Sequence, residues 1–225
     1  MPIDAKLRRL PWHLRYGLGR RLASTARRLS VEATHRHCRV EFEGPVRIGP
    51  GFCLDIPDAG SFVVGPGVDF RRGFACEIAG NGRVAIGAGT VFTSNALLQC
   101  STEIEIGEGC AFGQSALIVD GYHRYRGLDR SMLDQGYDFR PVRIGNGVGV
   151  SDKCTIQADI GDRAIVASGA VVHRAIPPYC LAVGSPARVV RYFGPPDQRP
   201  APVERRPRRR TADRYLSSEA GGPAA

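Results

Sequence analysis

The chain has 225 residues, 43% of them hydrophobic and 24% charged, with 28 glycines, 16 prolines and a formal net charge of +9. That length and apolar share suit one soluble domain with appendages, and so much glycine without a collagen period implies many tight turns. No apolar run is long enough for a membrane-spanning helix, and no signal peptide is expected.

The positive charge lies at the two ends. Residues 1–30 hold eight Lys/Arg against one acid, net +7, and residues 185–225 hold nine against four, net +5, so the body is net −3. A slightly acidic body argues against a nucleic-acid-binding domain.

Residues 1–30 read as a basic amphipathic helical segment, with the helix within 5–30. Leu7, Leu10, Leu14, Leu18, Leu22 and Leu29 recur at three-to-four spacing, and Pro11 suits a first helical turn. Gly17 and Gly19 weaken the helix. Arginines from Arg8 to Arg28 form the polar face, with Trp12 nearby. Two compatible roles fit. Either the leucine stripe caps the open end of the structure that follows, or the helix lies on an anionic membrane surface.

From about residue 48 a short repeat governs the chain. Aliphatic–glycine pairs stand at Ile48-Gly49, Val64-Gly65, Ile86-Gly87, Ile106-Gly107, Ile144-Gly145 and Ile160-Gly161. After each, an apolar residue recurs every six positions, as in Ile86, Phe92, Leu98 and Ile106, Phe112, Ile118. Small side chains such as Thr90, Ala96, Cys110, Ala116, Ala164 and Ala170 sit four positions after the apolar ones. A period of six fits neither a helix nor an alternating hairpin. It fits an all-β solenoid of about six coils with three flat faces, apolar residues stacked inward and small residues in the corners. The glycine after each aliphatic is expected to supply backbone angles that other residues avoid.

The repeat is interrupted twice. Ile118 to Ile144 spans 26 positions, so residues 119–143 form an external loop, rich in charge and aromatics. Loops on solenoids often carry the site. Ile156 to Ile160 spans four positions, which predicts one tightened corner. The seven cysteines (Cys38, Cys53, Cys76, Cys100, Cys110, Cys154 and Cys180) include no C-x-x-C pair, which reads as reduced, mostly buried thiols in a cytoplasmic protein. His35 and His37 have no third ligand in register, so no metal is expected. The β-helix is expected over 31–193. The Pro/Arg-rich segment 194–225 is expected to be a disordered tail, either solvated or touching RNA or anionic lipid.

The hexads, together with the order IGEGCAFGQSALIVDGYHRY, RPVRIGNGVGVSDKCTI and IGDRAIVASGAVVHRAIPPYCLAVGSPARVVR, resemble the left-handed parallel β-helix, hexapeptide-repeat acyltransferases. The resemblance is to their galactoside, maltose and exopolysaccharide O-acetyltransferase branch. It implies a homotrimer and acetyl-CoA-dependent O-acetylation of a sugar, glycan precursor or similar hydroxylated molecule. It places the family's catalytic histidine at His123. Imidazole suits the role, because an acceptor hydroxyl needs a base near neutral pH. No cysteine or serine sits in a nucleophile motif, which favours direct transfer.

Carried over residue by residue, the CoA contacts are Ser168, His173, Arg174 and Arg188, with Asp152 and Arg191 less secure. His173-Arg174 stands where a Thr-Lys pair is usual, so His173 alters that contact while Arg174 keeps the charge. Val148-Gly149-Val150-Ser151 lacks the usual aromatic and the two-residue shortening before Ile160 lies on the donor side, so the groove's shape departs from the pattern. The acceptor-side positions are Thr93, Asn95 and Gln114. Asp120 either orients His123 or serves loop structure. Other readings kept open are a non-catalytic scaffold binding membrane or RNA through its basic ends, and an N-acyltransferase acting on an amino sugar.

Overall fold

A computed structural model of the chain describes residues 17–200. Two compact units meet between Pro195 and Pro196. The described part of the second is a 3₁₀ turn at Pro196–Gln198 and the two residues after it.

The first unit is a three-sided parallel β-helix. Its first four coils carry β1 (Arg39–Phe42), β2 (Arg47–Ile48) and β3 (Cys53–Asp55); β4 (Ser61–Val64), β5 (Asp69–Phe70) and β6 (Ala75–Ile78); β7 (Arg83–Ile86), β8 (Val91–Phe92) and β9 (Leu97–Cys100); β10 (Glu103–Ile106), β11 (Ala111–Phe112) and β12 (Leu117–Val119). An antiparallel hairpin, β13 (Gly121–His123) with β14 (Tyr137–Phe139), then leaves the helix. Coiling resumes with β15 (Val142–Ile144), β16 (Gly149–Val150), β17 (Thr155–Ile156), β18 (Ile165–Val166), β19 (Val171–Val172) and β20 (Cys180–Val183), and β21 (Arg188–Tyr192) folds back on β20.

The first face runs β1-β4-β7-β10-β15, the second β2-β5-β8-β11-β16-β18-β20-β21, and the third β3-β6-β9-β12-β17-β19. The register follows the hexads. Val64, Ile86, Ile106 and Ile144 stand in one column, and Cys76, Leu98, Ile118, Ile156 and Val172 in another. All of these side chains are buried. In the second face, Phe70, Phe92 and Phe112 stack with centroids 5.5 and 4.8 Å apart and near-parallel planes. That geometry adds face contact to the area removed from water.

The glycine expectation needs correction. On the first and second faces the left-handed backbone angles fall three positions after the inward residue, not one, except after Phe42 and Ala182. They occur at Gly51, Gly73, Asn95, Ser115, Lys153 and Gly169 in the corner from second to third face, and at Gly67, Gly89, Gly109, Gly147, Arg163 and Tyr179 in the corner from first to second. The glycine directly after the aliphatic is needed because the next coil passes against it. A Cβ on Gly87 would lie 2.6 Å from the Gly107 carbonyl carbon, while a Cβ on Gly89 would meet nothing within 4 Å. Gly87→Ala is therefore expected to destabilise by about 2–3 kcal/mol through overpacking. Gly89→Ala should cost about 1 kcal/mol of backbone strain. Urea midpoints of the two variants check this, and equal losses would refute the close-approach account.

All variation in coil length falls at the third corner, between the third and first faces. Leu54 to Val64 and Cys76 to Ile86 each span ten positions, and Leu98 to Ile106 spans eight. The extra residues lengthen the strands and add Ile78, Val84, Cys100 and Ile104 to the core. The same corner then opens into the hairpin and afterwards shrinks. The shortening is seen twice, not once. Val172 to Ile176 repeats the four-position step of Ile156 to Ile160, and Ile160 bridges in parallel to both Ile144 and Ile176.

Helix α1 (Gly19–Thr34) covers the open first coil. Leu7, Leu10, Pro11, Trp12 and Leu14 lie outside the described residues. Of the two roles read for the leucine stripe, capping is not filled by Leu18, Leu22 or Leu29: the contacts of α1 with the first coil are mainly polar, with Val31 packed on the core. Edge strands of coil one present unpaired backbone groups, and these demand hydrogen-bonding partners. The Ser24 hydroxyl donates to Val46 O and accepts from Ile48 N–H. Arg27 donates to Ile48 O, and Arg28 to Phe42 O and Gly44 O. His35 Nε2 lies 3.1 Å from Leu54 O, and His37 Nε2 2.7 Å from Ile56 O. The two histidines thus hold the third face's edge. Leu18, Leu22 and Leu29 face outward at 57%, 63% and 59% exposure.

Candidate active site

The hairpin takes its place from Asp120. This buried carboxylate accepts from the backbone N–H groups of Ser101, Thr102 and Glu103 and from the Thr102 hydroxyl, at 2.6–3.0 Å. Asp120 O also accepts from Arg140 N–H at 2.7 Å, closing the base of the hairpin. Asp120 therefore serves loop structure. Its oxygens are spent on the preceding corner, and no hydrogen bond joins it to His123. Gly121 leaves room for the Phe139 ring, which its Cβ would meet at 2.5 Å. At the tip, the Gln135 amide accepts from Gly127 N–H at 2.7 Å and donates to Gly127 O at 2.9 Å.

These contacts hold His123 at the end of β13, opposite Tyr137. The two rings lie 4.1 Å apart, tilted by 37°. His123 Nδ1 is buried and has no hydrogen-bond partner among the described residues. The imidazole is held by ring contact and backbone pairing, and no hydrogen bond within the described residues occupies either ring nitrogen.

His123 opens into a cleft of about 820 Å³. One wall is the hairpin, with Tyr122, Tyr125, Arg126 and Arg140. The other is the third-face edge, with Gln157 and His173. Gln157 directly follows Ile156 and His173 directly follows Val172, so both stand at the shortened corners. Shorter corners leave the room that the hairpin roofs over. Arg124 is paired with Asp138 at 2.6 Å and Arg130 with Asp129 at 3.1 Å, while Arg126 and Arg140 have no side-chain partner among the described residues.

The structure brings only part of the expected site together. His123 and His173 share the cleft, and Arg174 is exposed beside His173. Thr93, Asn95, Gln114 and Ser168 lie at the second corner, along the opposite edge of the third face. The face separates them from His123 by about four residues of strand, roughly 13 Å. Thr93 Oγ1 is buried without a partner there. Arg188 is on β21 of the second face, with its guanidinium donating to Ala187 O. Asp152 accepts from Gln114 N–H at 2.6 Å, so its carboxylate stitches neighbouring coils. Gln157 was missed in the sequence, although the register one step beyond Ile156 at a short corner would have pointed to it.

The cysteines offer no nucleophile in the cleft. All seven are free thiols. Burial pushes the thiols of Cys76, Cys110, Cys154 and Cys180 up, and burial with the neighbouring Asp120 charge pushes Cys100 up to about 12. Exposed Cys53 is on β3 in the first coil, three coils from the hairpin.

No family model matches the chain. A probable acetyltransferase of Mycobacterium tuberculosis is 33% identical over 115 residues, which cover 50% of this chain and 38% of that protein. Nodulation protein L of Rhizobium meliloti is 35% identical over 139 residues, covering 56% of this chain and 68% of the relative. The chain thus spans well under half of the first relative and about two thirds of the second. Among solved structures, a hexapeptide-repeat acetyltransferase of Vibrio cholerae complexed with acetyl-CoA superposes with a TM-score of 0.52 at 21% identity, over 76% of this chain and 79% of that one. The N-acyltransferase AntD of Bacillus cereus, in complex with dTDP and 3-hydroxybutyryl-CoA, reaches a TM-score of 0.59 at 12% identity, over 86% of this chain and 97% of that one. At these identities the two structures share the fold.

Proposed function

Because the chain belongs to the hexapeptide-repeat acetyltransferases, we propose that it moves an acetyl group from acetyl-CoA to a hydroxyl of a sugar, glycan precursor or similar small molecule. The observation that carries this reading is His123, half-buried, unpartnered and facing the cleft between hairpin and coils. His123 takes the proton from the acceptor hydroxyl as the oxygen bonds to the thioester carbonyl carbon. The tetrahedral intermediate then collapses, the C–S bond breaks, and the CoA sulfur leaves with the proton from the imidazolium. Backbone amides stabilise the intermediate's oxyanion. Transfer is direct, since the buried cysteines are held as thiols.

The reading includes a left-handed coil and a homotrimer. The split site supports the trimer: within one copy Thr93, Asn95 and Gln114 lie across the third face from His123, and in this reading they serve the His123 of another copy. A closed ring of three uses one surface pair repeatedly.

The test is CoA release from acetyl-CoA by the purified chain, over a panel of neutral sugars, amino sugars and non-sugar alcohols. Release with hydroxyl acceptors is expected. Release with amino sugars alone would convert the reading to N-acylation, and no release with any acceptor would favour a non-catalytic scaffold. On the donor side, Arg174→Ala with Arg188→Ala is expected to weaken CoA binding about tenfold, with turnover at saturating CoA little changed. Titration calorimetry with CoA measures the first, and an unchanged affinity would remove both arginines from the donor site.

A further inference from the structure

Helix α1 is mounted with its polar side inward. Ser24, Arg27, Arg28, His35 and His37 are spent on the backbone edge of the first coil. On a helical wheel of 100° per residue, Leu18, Leu22 and Leu29 fall within a 40° arc on the far side. All three are more than half exposed. Ala26 and Ala33, also exposed, continue this face. A helix that only capped the solenoid would have no use for leucines there. Arg21 stands about 60° from Leu18 on the same wheel, and Arg36 follows the helix's C-terminal end; both are exposed and have no side-chain partner among the described residues.

We infer that this outward face of α1 docks the protein on an anionic lipid bilayer, with Leu18, Leu22 and Leu29 entering the headgroup boundary. Charge selects this occupant. Residues 1–30 carry net +7, which anionic headgroups attract and a second copy of the same segment repels. Area points the same way. A sixteen-residue helix is about 24 Å long, so its exposed stripe offers only a few hundred Å², well below the ~800 Å² per partner of a stable protein interface. Shallow insertion beside several cations is enough for reversible attachment to lipid.

The experiment is co-sedimentation of the full chain with phosphatidylcholine vesicles, with and without phosphatidylserine, alongside the double variant Leu22→Glu/Leu29→Glu. The parent chain is expected to pellet with the phosphatidylserine vesicles and to remain partly bound in high salt. The double variant should lose affinity by on the order of tenfold or more, with its melting temperature and oligomeric mass unchanged. A parent chain that stays in the supernatant, or a variant that binds equally well, overturns the inference. So does a variant with a lowered melting temperature or an altered mass, which would assign the leucines to residues 1–16 or to a second copy.

Discussion

Replacing His123 with alanine is expected to lower turnover by about 10²–10⁴-fold, the usual worth of a general base, while thermal stability stays near that of the parent chain. The expectation of an intact fold rests on what His123 lacks. Its side chain makes no hydrogen bond within the chain, so its removal strands no partner, and the Tyr137 contact is a single ring pair. CoA affinity should persist, because His123 makes no hydrogen bond that holds His173 or Arg174 in place. The comparison requires initial rates at saturating donor and acceptor together with a melting curve. Turnover within a few-fold of the parent would remove His123 as the base. A collapse in stability would show that the imidazole serves the hairpin's structure instead.

Asp120→Ala should produce the opposite pattern, with stability falling first. Three backbone N–H groups and one hydroxyl converge on this carboxylate at 2.6–3.0 Å. Alanine would leave those donors without an acceptor in a closed corner. Such a loss costs about 3–5 kcal/mol, or roughly 6–20 °C in melting temperature for a chain of this size. The hairpin should also become the preferred site of proteolysis, since the Asp120 side chain ties its base to the preceding corner, while the backbone bond from Arg140 N–H is retained in the variant. Activity would fall too, but through His123's position. A thermal scan and limited proteolysis check both parts. A variant that melts with the parent and keeps its hairpin protected would refute the anchoring role.

The coil was legible because its signal is local and repeated. Once Ile86, Phe92 and Leu98 point inward, six-residue spacing dictates where the next column stands, and the ladders place those residues in register. The role of the adjacent glycines was misread. A sequence shows that a side chain is absent but not whether dihedral freedom or a passing backbone requires it. At Gly87 the neighbouring coil decides the matter. The facing of α1 was left open between two roles for a related reason. Periodicity reveals that a helix has two sides, whereas the choice of inward side belongs to the partner. Here the partner is a row of open backbone groups, for which serine, arginine and histidine are better matches than leucine. His123 was singled out through resemblance, and the structure sets it in the cleft. Gln157 and the polar anchoring by Asp120 depend on contacts across coils, which no local pattern encodes.

The third corner divides the molecule into a part that counts residues and a part that does not. The other two corners are held to one length by their left-handed turn residue. The third contributes steps of ten, eight, twenty-six and four positions without shifting a single inward column. Insertions and deletions can therefore accumulate at that corner without re-indexing the core. Because His123 and the cleft sit there, the same latitude that lets the chain change length lets it change what it accepts.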